Sequence, residues 1–235
     1  MRLPTVAVAL VAVTLIVPAA GRAASPVEAP SLPGEQVTVA ASTAAATAGP
    51  SAIRTLQRRL ARLGYLPVSG VDGVFGGQTQ AAVIAFQKWV GLVRDGIPGP
   101  KTRAALARAK RPTPRTTGPG TRIEVLLDRQ LLLFIRSGWV ARTIHVSTGR
   151  PGFATPPGSY AILRKRRRSW SIRYKVWLPW ASYLVGGIAI HGSRNVPVKR
   201  ASHGCVRVPL YDARWLFRRT PVGTRVTVLA SAQRS

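Results

Sequence analysis

The chain has 235 residues, 46% of them hydrophobic, which suits one medium domain with a small companion and excludes a wholly disordered polymer. Lys and Arg number 35 against 7 Asp and Glu, and the formal net charge of +28 calls for a polyanionic neighbourhood, either nucleic acid or an anionic cell envelope. A single Cys excludes a fold stapled by internal disulfides.

The N-terminus separates the two neighbourhoods. After Arg2 an almost unbroken apolar run extends from Val6 to Val17, followed by Pro18 and small residues to Ala24. A basic start, an apolar stretch and a small-residue exit near Gly21-Arg22-Ala23 read as a secretory signal over residues 1–24. The run is shorter than the roughly 20 apolar residues of a membrane span, so any membrane attachment would come only from an uncleaved signal. An exported protein meets envelope polymers before nucleic acid. Residues 25–50 are Ala, Ser, Thr, Pro and Gly with few large side chains, and read as a flexible spacer.

Residues 51–110 form a helical unit. Ile53, Leu56, Leu60 and Leu63 recur at helical spacing before Gly64, and Ala82, Val83, Phe86 and Val90 mark a second amphipathic helix closed by Gly91. Asp72-Gly73-Val74-Phe75-Gly76-Gly77-Gln78-Thr79 is echoed by Asp95-Gly96-Ile97-Pro98-Gly99-Pro100-Lys101-Thr102. Each copy sets an Asp-Gly turn and a helix-starting Thr before a helical run, so the acidic residues serve turns and are too few for a calcium cage. With Leu56-Gln57, Leu63-Gly64-Tyr65 and Phe86-Gln87, the segment resembles the peptidoglycan-binding type 1 domain, a three-helix module of cell-wall enzymes. That resemblance implies wall anchoring.

Residues 111–120 carry three prolines and two glycines and read as a semi-rigid linker. From residue 121 the period changes to two. Arg122 to Val125, Leu131 to Ile135, Trp139 to Ser147, Ser159 to Leu163, Gly187 to His191 and Arg225 to Leu229 are the predicted strands, and Leu210 to Arg219 the one clear helix. Residues 121–230 are therefore mostly β, and 231–235 a tail. His145 lies in an alternating run and is assigned a structural role. Arg164-Lys165-Arg166-Arg167-Arg168 reads as a solvated charged face beside Trp170, Tyr174, Trp177 and Trp180. Basic residues among aromatics can bind nucleic acid, but the export signal favours anionic wall polymers or substrate carboxylates.

A lone Cys is most often a small buried hydrophobe. Cys205, however, stands in Ser202-His203-Gly204-Cys205-Val206-Arg207, with His191-Gly192 upstream, a polar setting suited to an imidazole-assisted thiol nucleophile. His191, His203 and Cys205 are also zinc-ligand types, but no further Cys or His pair accompanies them. These motifs, with Ser147-Thr148-Gly149 and Thr155-Pro156-Pro157-Gly158, resemble the L,D-transpeptidase (YkuD-type) catalytic domain.

The resemblance implies a β-sandwich-like domain with one or two helices, behind the small all-α module. It makes Cys205 the nucleophile, His191 the general base, the Gly192 carbonyl the orienter of that imidazole, and His203 a supporting group. The amides of Gly204 and Cys205 would face the oxyanion, and Arg207, Ser202 and Tyr183 would bind substrate. It further implies acylation of Cys205 by a stem peptide with release of D-Ala, then a 3→3 cross-link to a second stem, without metal or organic cofactor. Acylation of the same thiol by carbapenems would follow. An L,D-carboxypeptidase, with water as acceptor, and a catalytically silent wall-binding protein are the alternatives.

Overall fold

The computed structural model describes residues 49–230; the expected signal, the tail and all but the last residues of the spacer lie outside them. Three α-helices open the described chain: α1 (Pro50–Arg62), α2 (Gly77–Val90) and α3 (Pro100–Arg108). Gly91 closes α2 in the left-handed region at φ +75°, which only glycine adopts without strain.

The internal echo becomes a repeated device. Gln57 on α1 donates through Nε2 to Asp72 Oδ1 (2.7 Å), Val74 O (3.0 Å) and Thr79 Oγ1 (3.0 Å), and accepts the Gly73 N–H (2.8 Å). Gln87 on α2 repeats this with Asp95 (2.7 Å), Ile97 O (3.1 Å), Thr102 (3.3 Å) and the Gly96 N–H (2.9 Å). Each buried glutamine thus fastens its helix to the Asp-Gly turn that launches the next one.

Nine strands follow: β1 (Thr121–Leu126), β2 (Leu131–Arg136), β3 (Trp139–His145), β4 (Gly158–Ala161), β5 (Arg164–Ser171), β6 (Val176–Tyr183), β7 (Ala189–Ser193), β8 (Val206–Pro209) and β9 (Arg225–Leu229). Helix α4 (Leu210–Arg219) lies between the last two. One sheet has the order β3-β2-β1-β9-β4, the other β5-β6-β7-β8. Strands β1 and β9 pair in parallel, as do β7 and β8.

The apolar run Leu131 to Ile135 does not alternate, because both faces of its sheet are buried. Leu132 and Phe134 join Ile123, Val125, Ile190, Val206, Val208 and Leu216 in the core between the sheets and α4. Leu131, Leu133 and Ile135 point the other way and pack with Leu60, Val83, Phe86 and Leu106 of the helical unit. The helices and the five-stranded sheet therefore share one core. The segment 111–120, expected as a linker, is also tied down: the Arg115 and Thr116 amides each donate to the buried Glu124 carboxylate (both 2.8 Å).

One more bond set crosses this boundary. Lys88 of α2, 1% exposed, places Nζ 3.0 Å from Gln130 O, 2.9 Å from Val146 O and 2.7 Å from His145 Nδ1. Three acceptors match the three N–H bonds of an ammonium. Burial acts against its charge, lowering Lys88 to about 6. His145 Nε2 lies 2.7 Å from the Val196 carbonyl, which can only accept, so Nε2 carries the proton and Nδ1 accepts from Lys88.

The basic run at 164–168 departs from expectation: it is a strand, paired with β6 from Arg164↔Tyr183 to Ser171↔Val176. Its alternation is hidden because long cationic side chains occupy both faces. Lys165 runs inward, with Nζ 2.5 Å from Phe217 O and over that ring, while Arg164 lies over Tyr183 and Arg168 over Trp177.

Candidate active site

The two glycine-bearing motifs meet at the parallel pairing of β7 and β8, where His191 lies opposite Arg207. Gly192 is needed at its place because an added Cβ would stand 2.9 Å from Leu210 Cδ2 and 3.0 Å from Ala213 Cβ on α4. His191, 6% exposed, has Nδ1 2.9 Å from the Gly192 carbonyl. A carbonyl only accepts, so Nδ1 carries the proton and Nε2 is the basic nitrogen. Burial is the main reason its pKa falls to about 4, against which the Gly192 bond works; the Arg207 charge lowers it further.

Cys205 is partly buried and packs on Leu178, Ala181, Tyr183 and Ala189. Desolvation raises the thiol above its ordinary pKa, opposed by an Ala189 backbone hydrogen bond and by the Arg207 charge. Burial thus favours the neutral form of both groups that line the cleft, thiol and imidazole.

The loop bearing Cys205 is held from several sides. Thr148 O accepts both the Ala201 and Ser202 amides at 3.0 Å, and Ser147 Oγ donates to Lys199 O at 2.7 Å. Thr155 Oγ1 donates to Gly204 O (2.7 Å) and accepts the Gly149 N–H (3.0 Å). Gly149 admits no side chain, since a Cβ would fall 1.9 Å from Phe153 O. The two upstream motifs thus form a cradle for the cysteine loop.

A cleft of about 640 Å³ opens over this loop, and His191, Gly192, Ser202, His203, Cys205 and Arg207 all line it. Two expected site residues have partners within the protein. The Gly204 amide, expected at the oxyanion, donates to Ser202 Oγ (3.1 Å), whose own hydroxyl donates to Cys205 O (2.5 Å). Tyr183, expected to bind substrate, is outside the cleft lining: it is 8% exposed, and its hydroxyl is 2.8 Å from Ser169 Oγ. Arg168, of the basic run expected to meet anionic polymers or substrate carboxylates, lines the cleft, whereas Ser193 and Arg194 were missed as lining residues. Sequence reasoning singled out Tyr174 and Trp177 only as neighbours of a charge run, whereas both line the cleft. His203 stacks on Tyr174 (4.4 Å, 22°) and meets Phe153 edge-on (4.9 Å). Desolvation and the charges of Arg150, Arg207 and Arg173 lower its pKa.

A thiol, an imidazole hydrogen-bonded to the Gly192 carbonyl and two or more guanidinium groups thus line one cleft on a two-sheet scaffold. Residues 120–228 match the YkuD L,D-transpeptidase catalytic domain, and residues 50–106 a peptidoglycan-binding domain. The structure is similar to an L,D-transpeptidase from Xylanimonas cellulosilytica, with 40% identity and a TM-score of 0.70 over 75% of this chain and 92% of that one. A second, from Stackebrandtia nassauensis, is 27% identical with a TM-score of 0.50, covering 77% and 91%. A probable N-acetylmuramoyl-L-alanine amidase of Bacillus licheniformis is 44% identical over 61 residues, 26% of this chain and only 17% of that protein. The chain belongs to the L,D-transpeptidase family, with a peptidoglycan-binding domain at its N-terminal side. Both domains point to association with the cell wall, and no helix among the described residues is long and apolar enough to cross a membrane.

Proposed function

We propose that the protein is an exported cysteine-dependent L,D-transpeptidase that forms 3→3 peptidoglycan cross-links through a Cys205 thioester. The observation that carries this reading is the Nδ1 contact of His191 with the Gly192 carbonyl, which leaves Nε2 as the base in the cleft that Cys205 lines. The carbonyl takes the orienting place that a carboxylate fills in other triads.

Cys205 Sγ attacks the carbonyl between the third stem residue, a diamino acid, and terminal D-Ala, while its proton passes to His191 Nε2. The Cys205 amide stabilises the oxyanion, since the Gly204 amide is committed to Ser202. The C–N bond breaks, the proton returns to the departing D-Ala amine, and the thioester remains. The side-chain amine of a second stem then attacks, His191 takes its proton, and the thiol is regenerated. Arg207 and Arg168 bind donor carboxylates, and His203 supports the thiolate from its stack on Tyr174. The helical unit anchors the enzyme to peptidoglycan.

The test is release of D-Ala from a purified tetrapeptide stem. Wild type releases it and shows a covalent adduct in intact-mass spectra. Cys205→Ala folds but does neither, and D-Ala release by that variant would refute the mechanism.

A further inference from the structure

A second hollow of about 400 Å³ adjoins the catalytic cleft, and Ser193, Arg194 and Leu210 line both. One wall comes from the first turns of α2, through Gln80, Ala81 and Ile84. The other comes from the segment after β7. Its walls are fixed to each other: Tyr211 Oη donates to Gly77 O (3.0 Å), and the Lys88–His145–Val196 chain joins α2 to the loop beyond Arg194. The groove is therefore a permanent feature of the joined helical and catalytic units.

Its position bears on the second half of the reaction. The attacking amine must surrender its proton to His191, so it must approach on the His191 side of the thioester. Strand β7 leads from His191 directly to Ser193, where the groove begins. A second stem carries carboxylates, and Arg194 provides a cation at the junction of the two hollows.

We propose that this groove binds the acceptor stem peptide, so that a helix of the peptidoglycan-binding unit forms one side of the acceptor site. The assignment rests on the transpeptidase reading above. It gives the helical unit a second task besides anchoring.

Two variants on the helical wall test it, with purified disaccharide-tetrapeptide as both donor and acceptor. Ala81→Trp fills the groove, and Gln80→Glu sets a carboxylate against the acceptor at an exposed position that leaves folding intact. For both, formation of the acyl-enzyme by intact mass stays within about twofold of wild type. For Ala81→Trp, dimer formation falls by about tenfold or more through a higher acceptor KM. For Gln80→Glu the loss in dimers shrinks as salt is raised. Unchanged dimer formation in folded Gln80→Glu and Ala81→Trp would overturn the proposal, as would an equal loss of acylation, which would assign the groove to the donor. Failure of wild type itself to acylate would instead overturn the transpeptidase reading.

Discussion

At the scale of single residues, the site pairs a thiol whose pKa burial raises with an imidazole whose pKa burial lowers to about 4. In the proposed mechanism the proton would then move during attack, whereas a stable thiolate–imidazolium pair has given it up beforehand. Alkylation of Cys205 by iodoacetamide should be slow at neutral pH and rise into the alkaline range; a fully reactive thiol at pH 6 would contradict this. The two buried histidines also make stability depend on pH. His191 and His145 fall from 6.5 to about 4 and about 3 on folding, so both are held neutral. Their contribution is complete above pH 6.5 and is lost as pH falls through the folded values. As pH falls from 6.5 towards these folded values the histidines withdraw stability, and His145→Asn should shallow the fall of Tm measured over that window.

At the scale of elements, Gln57 and Gln87 are equivalent fasteners at the two turns of the helical unit. Replacing either with Ala leaves the buried Gly73 or Gly96 amide without its acceptor, and each should cost roughly 1–3 kcal/mol in chemical unfolding. A large effect at one and none at the other would show that the repeat is not a structural one. The echo of the two Asp-Gly turns was legible because turn residues and helix starts sit at fixed offsets. The glutamines that make the turns equivalent were visible only as parts of a resemblance, since their partners lie 15 and 8 residues away. The hairpin of β5 and β6 was not legible. Five consecutive cations mask a period of two, and only the fold reveals that Lys165 lies over the Phe217 ring while Arg164 and Arg168 cover those of Tyr183 and Trp177. The cysteine loop was legible as a motif. Arg168 was legible only as part of a charge run, and Arg194, which also lines the cleft, carries no local signal.

At the scale of the whole molecule, composition suggested two modules joined by a linker, whereas the structure gives the five-stranded sheet a buried face on each side. Removing residues 49–110 would uncover Leu131, Leu133, Ile135 and Val140, an apolar patch that soluble monomers rarely expose. Thermal unfolding of the intact chain should therefore be a single transition, and the isolated catalytic region should aggregate; two separate transitions would argue for independent modules. Lys88→Ala removes the donor to two carbonyls and His145 at once, and should lower stability by about 2–4 kcal/mol while moving the loop that carries Val196.

The central claim is that this joined scaffold cross-links peptidoglycan stems through Cys205. Its most direct test is mass spectrometry of the products formed from purified disaccharide-tetrapeptides by the full chain and by Cys205→Ala. The account predicts dimers that have lost one D-Ala and are linked between third residues with wild type, and unchanged monomers with the variant. Trimmed monomers without dimers from wild type, or dimers from Cys205→Ala, would contradict it.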